Sequence, residues 1–511
     1  MDHALERPSA DVVIVGGGTA GCVVAARLAE AGADVLLLEA GPDYGPLAGG
    51  RWPADLLDAA SIPASHDWGC FGGTGAGGQS LAFDRARVIG GCSSVNGNAQ
   101  SAGWRGDYDR WGDVCPGWSA RDLEPAFERA KAVTRVRVPP DDEVQPFQAA
   151  FLAACEEAGV LRTDDLGNLD GGLGVSVSPV NIEGGMRVNT AVAYLDPIRA
   201  RPNFRVVGGV LIDRVMLTRG HADGISAIAG GERVTVRGDL FIVCAGAYGT
   251  PTILQRSGVG DASRLRELGI PPLVDLPGVG RGLQDQPTAL LSFRGSSELE
   301  RRLVDYAQAH GFVPEEQCIA KVRSGLGDDV GPYDAHVFPW IEPHADGWRC
   351  IVPVALLTPR ASGKVEVAGP DPLAAPVVDH DYLGDRSDEE RLLALLPRVK
   401  EMVMAEPLAD LIGDVLDTTP WQQQDLGPWL RRSHAHYWHP TGGARMGPED
   451  DPWAVVDHRL GVRGVEGLRV VDASIFPSIP RATTALPVTA VAERAAALLV
   501  STSPVHLGRS R

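Results

Sequence analysis

The sequence predicts an α/β fold built as two interleaved domains. Three observations predict it. The chain has 511 residues, more than one hydrophobic core normally serves. Its first 39 residues alternate apolar strand, glycine turn, helix and apolar strand. The alternation then stops, and residues 42–74 form an irregular stretch rich in Gly, Pro and Asp. A regular βα domain would continue at that point, so its remaining strands are expected from far down the chain.

The first strand is Asp11-Val12-Val13-Ile14-Val15, a short β-branched run of the kind that buried parallel strands use. It enters Gly16-Gly17-Gly18-Thr19-Ala20-Gly21, in which Gly16, Gly18 and Gly21 fit G-x-G-x-x-G. A helical pattern follows over 22–31, closed by Gly32. Val35-Leu36-Leu37-Leu38 is the second strand, ending at Glu39 with Ala40 beyond it. In such a unit the first glycine permits the turn. The second admits a pyrophosphate to the backbone, and the third lets helix pack on strand. The helix start, from Thr19 and Ala20 onward, offers free N–H groups and a positive dipole end to the anion. Glu39 can accept hydrogen bonds from an adenosine ribose. The parts fall in the right order for a dinucleotide site, and the interruption after residue 42 favours FAD over NAD.

Composition narrows the partners. Sixty-six Asp and Glu against 47 Lys and Arg give a formal charge of -19, which repels nucleic acid. Residues 1–10 do not read as a signal peptide, and no apolar run reaches the roughly 18 residues of a membrane span. A cytoplasmic protein without membrane insertion is expected. The eight cysteines include no C-x-x-C pair, so they are expected to be reduced thiols in or near the core, with no metal site.

Four further segments carry a family resemblance. Ala86-Arg87-Val88-Ile89-Gly90-Gly91-Cys92-Ser93-Ser94-Val95-Asn96 resembles the first signature of the glucose-methanol-choline (GMC) oxidoreductases. Residues 246–260, from Gly246-Ala247-Tyr248-Gly249 to Gly258-Val259-Gly260, match the second. Trp438-His439-Pro440-Thr441-Gly442-Gly443 resembles the catalytic-histidine segment, and Val471-Asp472-Ala473-Ser474 the last flavin-binding strand and turn. The register holds from Asp11 to about Leu499 and is nearest the choline oxidase and choline dehydrogenase branch. The resemblance implies a Rossmann-type FAD-binding domain interleaved with an α+β substrate domain on an antiparallel sheet. The expected boundaries are 1–144, 203–286 and 434–511 for the FAD domain, and 145–202 and 287–433 for the substrate domain. Short buried-strand patterns at 204–207 and 240–244, and strand–turn–strand spacing over 363–379, agree with it.

The resemblance also implies site residues. Arg87, Gly90, Gly91, Ser94 and Asn96, Gly97, Asn98 and Ala99 should lie along the flavin and its phosphates. Ile212 should meet the adenine through its backbone. Ala245 and Gly246 form a small-residue turn where backbone can approach the cofactor. Asp472 and Ala473 should sit near the ribityl and pyrophosphate groups, with Thr484 beside the helix predicted over 488–500.

The implied reaction is oxidation of a small-molecule alcohol, with hydride passing to the flavin and oxygen or another electron acceptor reoxidising it. His439 is the expected proton acceptor, because imidazole exchanges a proton near neutrality. Three positions depart from the family. Thr483 stands where the histidine's His or Asn partner is usual; the partner role is either lost, filled by Thr483, or passed to another residue such as His436. Val95 stands where some relatives attach FAD covalently, so FAD should be noncovalent. Gly282-Leu283-Gln284-Asp285-Gln286 replaces Asn-Leu-Gln-Asp-His, with Gln284 and Asp285 read as loop structure. Trp104, Trp111, Trp118, Phe338 and Trp340 are expected to pack the core or line the substrate pocket. Lyase-type chemistry or a noncatalytic flavin-binding role stands as the alternative reading.

Overall fold

The computed structural model describes residues 8–73, 78–327 and 331–502. Ser9–Val15 pairs in parallel with Val35–Leu38 on one side and with the C-terminal half of Glu232–Val243 on the other. Phe204–Val207 and Leu468–Val470 extend this parallel sheet at its two edges. The strands supplied from residues 204, 237 and 468 onward are the distant ones that the early break in alternation requires.

The strand Glu232–Val243 begins eight residues before the predicted 240. Its first half pairs antiparallel with His221–Ala229, which pairs in turn with Val210–Thr218. There one face is open to solvent, so polar residues interrupt the apolar signal. The helix Thr19–Glu30 follows the glycine turn and packs against the C-terminal helix Ala485–Thr502. A partly buried ion pair locks the two together: Arg27 meets the 2 % exposed Glu493 side chain at 2.7 Å.

The second large sheet is antiparallel, in the order Ile412–Val415, Thr288–Gly295, Gly347–Leu356, Ala335–Val337, Cys318–Val322, Gly174–Val177. Helices Pro146–Glu157 and Arg386–Met404 cover it. Gly363–Glu366 and Val377–Asp379 form the predicted strand pair, but outside this sheet. They pair with Arg281–Leu283 and Phe71–Gly73 in a separate small sheet, which draws on a stretch read from sequence as irregular.

Two large buried clusters follow these sheets. One gathers side chains from residues 10–130, 169–279 and 444–499. The other gathers 144–177 and 289–430. Val188, Val192, Leu195 and Ile198 pack in the first cluster, although the sequence reading assigns 145–202 to the second domain. The turn at Ala191–Leu195 lies against the helix Thr19–Glu30, which explains the difference. All eight cysteines are unpaired, and seven are buried. Among the described residues, no helix is long and apolar enough to cross a membrane, and no group of His, Cys, Asp or Glu could hold a metal ion.

Candidate active site

The glycine turn is closed behind and open in front. A Cβ on Gly21 would lie 1.9 Å from the Gly16 carbonyl oxygen, and one on Gly16 would lie 2.5 Å from that of Cys244. A Cβ on Gly18 would meet nothing nearer than Gly91 Cα at 3.7 Å. No side chain caps the helix at Gly18, so the first N–H groups, from Thr19 and Ala20 onward, are left for an anion. Glu39 is 6 % exposed and accepts from the Gly17 and Gly41 backbones at 2.8 and 2.7 Å. Burial nevertheless pushes its carboxyl up to about 7. Val210 N donates to Glu39 O at 2.8 Å, which brings the strand carrying Ile212 alongside. Arg87 lies over the Trp68 ring and donates to Ala40 O at 3.4 Å. The uncapped helix end, the bare glycine face and the acidic group beside them fit the diphosphate and ribose of a dinucleotide.

The segment 90–99 is laid across this turn. Gly90 N donates to Gly17 O at 2.7 Å, and a Cβ on Gly91 would press Gly18 Cα at 2.6 Å. Ser94 Oγ donates to Ile89 O at 3.0 Å, while Asn98 adopts φ 66° with its Oδ1 buried and unpartnered. Arg187, fully buried, pins the segment from behind. Its guanidinium donates to Asn96 O at 3.0 Å and to Leu56 O and Ser61 O at 3.1 and 2.8 Å. Among the described residues its hydrogen-bond acceptors are all carbonyls, and burial pulls its pKa down to about 10. A lone arginine leaves no sequence signal of this role.

Asp472 closes the far side. Its carboxylate accepts from Gly246 N, Ser474 N and the Thr250 hydroxyl. Thr250 Oγ1 in turn accepts from Ala245 N at 3.0 Å. Gly442 N donates to Ala473 O at 3.0 Å, and this zips the histidine segment onto the turn at Asp472. Gly442 has φ 86°, and a Cβ there would strike Gly282 O at 2.1 Å, so that turn also requires glycine.

His439 is held at three points. Its N–H donates to Asp285 Oδ1 at 3.0 Å, and its Nδ1 lies 2.7 Å from Gln286 Oε1. Its ring packs on Tyr437, centroids 4.2 Å apart. Asp285 is anchored in turn by the buried Tyr382 hydroxyl at 2.8 Å. The preceding residue, Trp438, sits at φ 59°, where a bulky side chain is strained. Both Arg85 terminal nitrogens donate to its carbonyl, at 3.3 and 3.2 Å, and hold that conformation. Tyr437 stacks on Phe338 at 3.9 Å, and Phe338 on Trp340 at 5.8 Å. Phe338 and Trp340 thus join the histidine's wall, whereas Trp111 and Trp118 are buried in the first core.

Thr483 does not partner the histidine, contrary to that sequence expectation. Its hydroxyl donates to Ala99 O at 3.1 Å and accepts from Ser101 N at 2.9 Å. It straps segment 96–101 to the start of the C-terminal helix, where Thr484 O accepts from Val488 N. His436 bonds to Ala82 O at 2.9 Å and His434 to Gln79 at 2.8 Å. Both are buried. The ring partner is Gln286, in the segment read as loop structure. The sequence reading also passed over Glu316, whose buried Oε1 has no partner and whose Oε2 faces Gly97. Burial and the neighbouring Glu315 push its carboxyl up to about 8.

Burial, then Arg85 and His436, bring His439 down to about 3. Its imidazole is therefore neutral throughout the physiological range. Below pH 6.5 the unfolded chain binds a proton here that the folded chain refuses, so this group's stability contribution is full above 6.5 and falls as the pH drops toward 3. The rate of cofactor reduction should show no acid limb near pH 6.5. Stopped-flow reduction at saturating substrate from pH 5 to 8 checks this; a limb at 6.5 would mean an exposed, ordinary histidine.

Known proteins resemble this chain along most of its length. The pattern of GMC oxidoreductases matches residues 10–288 and 359–492. An uncharacterised GMC-type oxidoreductase of Rhodococcus erythropolis is 32% identical over 97% of this chain and 99% of its own. Choline oxidase of Arthrobacter globiformis is 30% identical over 96% and 94%. The crystal structure of pyridoxine 4-oxidase from Mesorbium loti superposes with a TM-score of 0.83 at 28% identity, covering 95% of this chain and 98% of that one.

Proposed function

The chain belongs to the GMC oxidoreductase family and is an FAD-dependent oxidoreductase, and on that premise we propose that it oxidises the CH–OH group of a small alcohol with His439 as proton acceptor. One observation carries the reading: a half-buried, neutral imidazole is fixed by backbone and ring hydrogen bonds in a segment that Gly442 ties to the turn at Asp472. FAD supplies the hydride acceptor. The chain supplies the rest. His439 takes the hydroxyl proton, and its fixed ring keeps that distance short. The aromatic wall of Tyr437, Phe338 and Trp340 keeps water from the reacting carbon. Thr483 brings the positive end of the helix Ala485–Thr502 against segment 96–99.

The first buried cluster would form the FAD domain and the second the substrate domain. Gly16, Gly18, Thr19, Ala20, Gly21 and Glu39 would hold the nucleotide. Segments 87–99 and 472–473 would hold the flavin side, with Ile212 at the adenine. Val95 offers no nucleophile and packs against the first core, which supports noncovalent FAD.

Anaerobic titration of the flavin-loaded protein with a panel of alcohols, choline and pyridoxine among them, tests the reading. Bleaching of the flavin absorbance by at least one alcohol is the expected result. Admission of air then distinguishes oxygen from another electron acceptor. Retention of the oxidised spectrum with every alcohol, together with turnover of a cyanohydrin-type substrate, would replace the proposal with lyase chemistry.

A further inference from the structure

We propose that Gln286 is a positioning residue that fixes the tautomer of His439, leaving Nε2 as the atom that takes the substrate's proton. The inference rests on the proposed role of His439 and names the atom that performs it. Gln286 is fully buried, and both ends of its amide are committed. Its Nε2 donates to Leu357 O at 3.2 Å and to Pro480 O at 3.1 Å. A flipped amide would set its oxygen against two carbonyl oxygens, so the orientation is fixed by the backbone. Oε1 then faces His439 Nδ1 at 2.7 Å, and an amide oxygen can only accept. Nδ1 must carry the hydrogen, and neutral imidazole has one hydrogen to place. Nε2 is left with its lone pair.

The arrangement balances without another group. The substrate O–H bond breaks as the Nε2–H bond forms, and the Nδ1–H bond to Gln286 shortens as the ring becomes positive. Glutamine does not titrate, so this partner keeps one tautomer at every working pH. The charged and titratable neighbours of the ring are Arg85, His436, His336 and Tyr437, with Asp285 bonded to its backbone. Arg85 and His436 disfavour imidazolium. None of these groups donates to or accepts from Nδ1, so tautomer choice falls to Gln286 alone.

The test compares flavin-loaded Gln286→Leu and Gln286→Glu with the parent protein. Gln286→Leu removes the acceptor and frees the ring to take the other tautomer. Flavin reduction should slow by about 10²-fold or more with KM and FAD content nearly unchanged; loss of a histidine's tautomer control elsewhere costs about 10⁴. Gln286→Glu keeps an acceptor on Nδ1–H, and where its second oxygen meets the Leu357 and Pro480 carbonyls it must be a neutral acid whose hydroxyl donates to one of them. It should retain activity within about tenfold of the parent. Should the leucine variant fail to load FAD, the rate of the glutamate variant still decides. A glutamate variant slowed by about 10²-fold or more, or a leucine variant as fast as the parent, overturns the inference. If His439→Ala is itself fully active, the proposed function fails instead. If His439 proves essential and Gln286→Leu is silent, only the tautomer assignment fails.

Discussion

His439→Ala is expected to bind FAD as the parent does and to slow flavin reduction by an alcohol by about 10²- to 10⁴-fold, the usual contribution of a positioned base. The two halves of this expectation have separate physical grounds. FAD would be held by the glycine turn, segment 90–99 and the turn at Asp472, none of which uses the histidine side chain. The backbone of residue 439 keeps its bond to Asp285 in the variant, since that bond comes from the peptide N–H. Only the imidazole is removed, and no neighbour can replace it. His436 is spent on Ala82 O, and Thr483 on Ala99 O and Ser101 N. The measurement is anaerobic stopped-flow reduction at saturating substrate, with FAD content read from the protein's own absorbance. A rate within about threefold of the parent would remove the histidine from the mechanism.

This separation of binding from chemistry also explains what could be read from the sequence. The nucleotide turn is legible because its geometry is local: five residues of strand, three glycines at fixed spacing and a helix start within 20 residues. The structure places Val35–Leu38 and Phe204–Val207 where their apolar runs predict them. The histidine's environment is built from residues far apart. Gln286 lies 153 residues from His439, and Arg187 lies 91 from the Asn96 carbonyl it holds. Neither belongs to a periodic pattern, and a buried arginine on carbonyl groups looks in sequence like any surface arginine. Thr483 misled for a related reason. Its position in the chain fits a catalytic partner, but a hydroxyl is short and finds backbone first. The partner role passed to a residue visible only as a substitution in the segment 282–286.

Two glycine substitutions three residues apart in sequence should separate folding from cofactor binding. Gly21→Ala is expected to abolish the folded, flavin-loaded protein. Its Cβ would lie 1.9 Å from the Gly16 carbonyl oxygen and 3.1 Å from that carbon, with the Cys244 side chain at 3.3 Å. The nearest atoms are backbone of the strand-to-helix turn, so no rotamer change relieves them. The helix Thr19–Glu30 would have to lift off the parallel sheet, with its nine buried residues. Ordinary overpacking costs roughly 1–3 kcal/mol, and this clash lies at or above that range.

Gly18→Ala should behave otherwise. Its Cβ would touch only Gly91 Cα at 3.7 Å, ordinary van der Waals contact, and its φ of -79° suits any residue. The apoprotein should therefore fold and melt close to the parent. The methyl group occupies the one face that the turn leaves bare, where a pyrophosphate must approach the backbone. FAD affinity should fall by about tenfold or more, equivalent to about 1.4 kcal/mol. Thermal melting of the apoproteins and FAD titration of each variant check the pair together. Equal FAD affinity in Gly18→Ala and the parent would place the diphosphate elsewhere, while a stable Gly21→Ala apoprotein would show that helix and sheet can part without unfolding.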